Sequence, residues 1–123
     1  MTQDEMKAHT KEFALRIIKL VRALPKTVEG RAMAGQLIRS GTSVASNYRA
    51  SCRSRSKAEF VAKIGTVLEE ADESLLWIEL IVGADLLPQK RCEPLLIEAN
   101  ELVAIMVATR KSALAGANLK SEL

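Results

Sequence analysis

The sequence predicts an all-α fold, an antiparallel up-down-up-down four-helix bundle, on three observations. Apolar residues recur at alternating spacings of three and four in four separate stretches, the period of one face of a helix. Prolines and Ser/Thr-x-x-Glu signals fall between those stretches and delimit them. No run alternates apolar and polar residues, and no hairpin turn signal is present. Short connections between four such helices favour neighbours that run in opposite directions.

Each element has its own justification. Thr2-Gln3-Asp4-Glu5 reads as a capping box, in which the threonine hydroxyl and the glutamate carboxylate satisfy free backbone donors at a helix start. The first helix, about 3–24, repeats Phe13, Ile17, Leu20, Val21 and Leu24 before Pro25 stops it. The second, about 28–53, carries Glu29 in its first turn, where the helix dipole favours a carboxylate, and a seam of Met33, Leu37, Val44, Tyr48 and Cys52. Ala34, Gly35, Gly41 and Ala45 dilute that seam and allow close helix approach. Ser56-Lys57-Ala58-Glu59 reads as a second capping box and opens a third helix, about 57–84, with Phe60, Ile64, Val67, Ala71, Ile78 and Val82 as its stripe. Pro88 and Pro94 place the fourth helix at about 93–115, because proline suits a first turn and disrupts later ones. Its stripe is Leu95, Ala99, Leu102, Met106, Thr109 and Ala113, and Gly116 ends it. The bundle then occupies 1–116, and 117–123 is expected to be a flexible tail.

Composition narrows the function classes. A chain of 123 residues is long enough to bury roughly 65 % of its unfolded surface in a single core. No apolar run approaches a membrane span, and Asp4, Glu5, Lys7 and Glu12 break up the N-terminus where a signal peptide would be apolar, so a cytoplasmic location is expected. Cys52 and Cys92 are far apart and lie in no ligand pattern, so no metal and no disulfide are expected. His9 is the sole histidine and reads as a surface residue; no Gly-rich phosphate loop is present. The sequence therefore predicts no catalytic residue, cofactor or small-molecule substrate.

Charge is the informative property. The net +3 divides into residues 1–57, with twelve Lys or Arg against four Asp or Glu, and residues 58–123, with six against eleven. A basic half beside an acidic half can be satisfied within one fold or between identical subunits. Residues 39–60 alone hold four arginines, one lysine and seven Ser or Thr. In an antiparallel hairpin turning near residue 55, Arg39 should reach Glu70 or Glu73 of the EEADE block, and Asn47 should lie near Lys63. Thr42 and Ser43 can bond the preceding turn or a neighbour. These residues are read as fixing helix register or a subunit contact. Arg49, Arg53, Arg55 and Lys57 cluster at the corner between the second and third helices, where no acidic segment stands opposite, and form a candidate surface for nucleic-acid phosphates. With few aromatics and no groove-reading motif, RNA or DNA binding there would be independent of sequence. Finally, Ser74 to Val82 is apolar on nearly every face, so Leu76, Trp77, Leu80 and Ile81 are expected to be covered by another subunit. A basic face meeting an acidic face would make that contact head-to-tail, the kind that closes into a ring.

Arg39-Ser40-x-Thr42-Ser43-Val44-x-x-Asn47-Tyr48-Arg49, then Arg53-x-Arg55-Ser56-Lys57-Ala58-Glu59-Phe60, then Glu69-Glu70-Ala71-Asp72-Glu73 with Trp77-x-Glu79-Leu80, resembles the four-helix bundle proteins named for 23S ribosomal RNA intervening sequences. With Leu24-Pro25 and Gln36-Leu37, the likeness extends over about residues 12–82; Ala50 stands where relatives often carry Glu. The resemblance implies a homopentameric ring without catalytic activity. It is also similar in build to the accessory protein of diversity-generating retroelements, a basic pentamer that engages nucleic acid. Three functions follow in order: a non-enzymatic oligomeric scaffold or binding module with nucleic acid as first partner; a purely structural assembly that uses its basic surface in its own contacts; and an enzyme with a site built between subunits from EEADE and Arg39.

Overall fold

The computed structural model describes side chains for residues 1–116 and the backbone to residue 122. It contains four α-helices, α1 (Gln3–Arg22), α2 (Val28–Ser51), α3 (Lys57–Gly83) and α4 (Gln89–Glu122), and no strand among the described residues. The last helix runs on through Gly116, where the sequence was expected to end it, to Glu122; the side chains of 117–123, the span expected as a flexible tail, lie outside the described residues. No helix among the described residues is long and apolar enough to cross a membrane.

The caps set the starts. Thr2 Oγ1 accepts from the Glu5 N–H at 3.1 Å while the Thr2 N–H donates to Glu5 Oε1 at 3.3 Å, a complete capping box. Thr27 Oγ1 accepts from the Gly30 N–H and caps α2. The second box is only half formed: Ser56 Oγ accepts from the Glu59 N–H, but the Glu59 carboxylate accepts from the N–H of Arg55 rather than Ser56. Helix ends depart slightly from the expected bounds. α1 stops two residues early because the residue before Pro25 is pushed out of helical geometry. α3 ends in a Schellman motif, with Asp85 at φ 56° and the Leu86 N–H donating to Ile81 O at 3.0 Å. α4 begins at Gln89, not 93, because Pro88 itself starts the turn, its carbonyl accepting from the Arg91 N–H at 3.1 Å. Pro94 is thereby left inside the helix.

One core runs through all four helices. α1 contributes Phe13, Ile17 and Leu20, α2 Leu37, Val44 and Tyr48, and α4 Leu95, Ala99, Leu102 and Met106. α3 buries Ile64, Val67, Ala71, Ser74, Ile78 and Ile81, a strict three-four stripe. Ile81 is therefore core, fully buried within the single chain, and cannot be an intersubunit residue as the sequence suggested; Val82, its expected replacement, is only half-buried. The polar Ser74 hid the continuity of the stripe. Its hydroxyl donates to the Glu70 carbonyl at 2.8 Å and accepts from the Ser40 hydroxyl at 2.9 Å, so it is buried without leaving a polar group unpaired. Close approach of α1 and α2 depends on Gly41: a methyl there would lie 2.9 Å from the Ile17 side chain. Successive helices pack extensively, α1 and α4 only lightly, and the backbones of α1 and α3 do not come close.

Candidate nucleic-acid interface

Burial of Val44, Tyr48 and Ser51 fixes which way α2 faces. It turns Arg49 to solvent, and the connection to α3 exposes Arg53, Arg55 and Lys57. None of these four is in an ion pair among the described residues. The chain tightens here, with the Arg53 N–H donating to Ala50 O at 3.0 Å and the Ser54 N–H to Ser51 O at 3.2 Å, so the basic side chains leave a compact corner. Burial pushes the Tyr48 hydroxyl up to about 12, so this ring is a packed anchor that stays neutral.

The corner continues into a groove between α1 and α2. Lys7, Lys11 and Ala14 line one wall and Thr42, Ala45, Ser46 and Arg49 the other, enclosing about 410 Å³. Lys7 has Asp4 at 3.8 Å; Lys11 and Arg49 have no carboxylate partner among the described residues. The Thr42 hydroxyl donates to Ile38 O at 2.7 Å and Ser46 to Ser43 O at 3.3 Å. Both protons are thus used by the helix, and attraction for an anion comes from the three cations. Sequence reasoning missed Lys7 and Lys11. Their i,i+4 spacing was visible, but their partner wall appears only when α1 is laid on α2.

The register residues gather on the other side of α2. Arg39 forks between two carboxylates: Nη1 donates to Glu70 at 3.2 Å and Nη2 donates to Glu73. Glu73 also accepts from Trp77 Nε1 at 3.2 Å. The Arg39 guanidinium holds the Glu73 carboxyl below its usual range, and Glu73 in turn pushes Arg39 further up. The Asn47 amide donates to Ser43 O at 2.9 Å within α2, and Lys63 pairs with Glu59 at 3.0 Å. Thr42 likewise bonds its own helix, and Ser43 serves through its carbonyl. Leu76 and Leu80 are exposed, and Trp77 is half-buried against the core.

A second charged cluster, unforeseen in the sequence, lies between α1 and α4. Arg16 Nη1 donates to Glu98, whose side chain is only 10 % exposed, and His9 Nε2 lies 3.8 Å from the same carboxylate. His9 is thus half-buried, not a surface residue, and its Nε2 is buried without a hydrogen-bond partner. No group of His, Cys, Asp and Glu among the described residues is arranged to hold a metal.

Residues 3–108 match the family described as 23S rRNA-intervening sequence protein. The chain is similar to a solved structure from Bacteroides thetaiotaomicron, a protein with unknown function from the S23 ribosomal protein family: identity is 29 %, the TM-score 0.78, and the match covers 85 % of this chain and 97 % of that one. No curated protein matches the chain.

Proposed function

This chain belongs to the 23S rRNA-intervening sequence protein family, and we propose that it is a non-enzymatic binding module of the cytoplasm, a ring-like homopentamer that grips nucleic-acid phosphates. The carrying observation is the convergence of cations without carboxylate partners, Lys11 and Arg49 in the groove and Arg53, Arg55 and Lys57 at the corner. Such a surface, repeated around a ring, would multiply phosphate contacts with copy number. The up-down-up-down antiparallel course is supported by pairing: early α1 shares a groove with late α2, Ser40 meets Ser74, and Gly65 lies near Arg110 while Lys57 lies near Gly116. The family name refers to an insertion in an rRNA gene, so RNA is the first nucleic acid to test and ribosome binding is not part of the proposal. Absence of catalysis is supported by the engagement of Glu70 and Glu73 of the acidic block with Arg39, which leaves neither carboxylate free for proton transfer.

The test is retention of RNA and DNA across a salt series, with mass measured in the same buffers. Binding should weaken linearly in log salt, and Arg53→Ala with Arg55→Ala should lower that slope by about 2. An intact oligomer that binds neither polymer at low salt would leave the second reading, a purely structural assembly. That reading is favoured by one observation: Arg39, the most upstream arginine of the basic stretch, is already committed to carboxylates of its own chain.

A further inference from the structure

Two surfaces of this molecule are chemically complementary and cannot meet within one chain. The first is a groove of about 500 Å³ between α1 and α4, which pack only lightly. Its floor is Leu20 and Leu95, both buried, and its walls are the half-exposed Leu15 and Pro94. Lys19 and Arg91 stand on the rim, and neither is in an ion pair among the described residues. Glu12 also lines the groove, and Arg16 there is neutralised by Glu98, so the rim is net positive.

The second surface is the outer face of α3. Leu76 and Leu80 are 49 % and 41 % exposed, large values for leucines one turn apart. Glu69, Asp72 and Glu79 share this face at helical spacing, are exposed, and have no cationic partner among the described residues. A ridge of two leucines flanked by carboxylates thus has the counterpart of a leucine-floored groove flanked by a lysine and an arginine.

We infer that the Leu76/Leu80 ridge of α3 in one copy docks into the α1/α4 groove of a second copy. This rests on the oligomeric reading above and specifies its contact. Groove against groove would oppose like charges, and so would ridge against ridge, so the contact is heterologous. Because the backbones of α1 and α3 do not come close, and the ridge is the face of α3 opposite its buried stripe, groove and ridge lie on different sides of the bundle and each copy can use both at once. Repetition of such a contact closes a ring when the rotation permits. It also covers the leucines that a single chain leaves in water.

Two full-length variants test this, Lys19→Glu with Arg91→Glu in the groove and Asp72→Lys with Glu79→Lys on the ridge, with helicity checked by circular dichroism and mass by light scattering. Each alone should fall to the 13.5 kDa monomer. Mixed, they should associate again into species of at least twice that mass, because one retains a sound ridge and the other a sound groove, and the two reversed surfaces are themselves opposite in charge. Variants that both keep the wild-type mass would overturn the docking and leave the oligomer standing. A monomeric wild type would overturn the oligomeric reading, and this contact with it. If a charge reversal costs helicity, Lys19→Ala with Arg91→Ala carries the same expectation. A mixture that stays monomeric would also overturn the head-to-tail contact.

Discussion

The fold holds two clusters in which an arginine meets a glutamate across helices, and they differ in how much water reaches them. Between α2 and α3, Arg39 bridges Glu70 and Glu73 with its own side chain 48 % exposed. Between α1 and α4, Arg16 meets a Glu98 whose side chain is 10 % exposed, with His9 alongside. Both arginines reach water, Arg39 at 48 % and Arg16 at 39 % exposure, and the difference lies in the carboxylates: Glu98 is 10 % exposed, against 18 % for Glu70 and 33 % for Glu73. The first has more ion pairs, yet the second carries more energetic consequence, because Glu98 has surrendered its hydration and depends on its partner. Burial, more than the number of pairs, sets what each cluster does for the fold.

The largest expected effect therefore lies at the site with fewer pairs. Arg16→Ala should destabilise the protein by about 3 kcal/mol by leaving a buried carboxylate unpaired. His9 Nε2, at 3.8 Å, is too far to replace the lost hydrogen bond. Thermal unfolding should start about 10 °C lower for a domain of this size. Replacing both partners, Arg16→Met with Glu98→Met, should recover most of the loss, since no charge is then stranded. A single variant that melts with the wild type would show that Glu98 is solvated, and the contrast between the clusters would collapse.

The same contrast explains what was legible in the sequence. The α2/α3 cluster can be read because a cap at Ser56 fixes the turn, and counting back from it sets Arg39 opposite the acidic block. No local signal sets the register of α1 against α4, which pair across most of the chain, so Glu98 reads as one polar residue beside an apolar stripe. The helices and their stripes follow from the three-four spacing, but the exact face of α3 does not. Ser74 breaks the apolar pattern where the structure buries it, and so Ile81 read as surplus when it is core. The basic corner was legible as composition, since Arg49 to Lys57 crowd together in sequence. The groove that extends it was not, because Lys7 and Lys11 join it only through tertiary packing.

A smaller effect is expected from Arg39→Ala. With the guanidinium half in solvent, the loss should move the melting midpoint by no more than about 3 °C at low salt. The difference should vanish at high ionic strength, where wild type and variant should unfold together. A loss as large as that of Arg16→Ala, persisting in salt, would mean that the α2/α3 cluster is shielded from solvent in a way the single chain does not provide. A neighbouring copy covering Arg39 would be the natural cause.

The smallest effect is also the most local. Trp77, the only tryptophan, donates its indole N–H to Glu73, so its emission reports whether that carboxyl is charged. The Arg39 hydrogen bond, opposed by partial burial and aided by the Trp77 bond, lowers the Glu73 pKa from its ordinary 4.5. A carboxyl whose folded pKa is depressed adds stability above its unfolded pKa and loses it as pH falls through the folded value. The emission step on acidification should therefore be centred below pH 4.5 in the wild type. In Arg39→Ala, the largest lowering influence is gone and the step should move upward, while the melting midpoint near neutral pH hardly changes. Equal midpoints in the two proteins would show that Glu73 does not depend on Arg39, and the exposed cluster would then be two adjacent charges rather than a coupled pair.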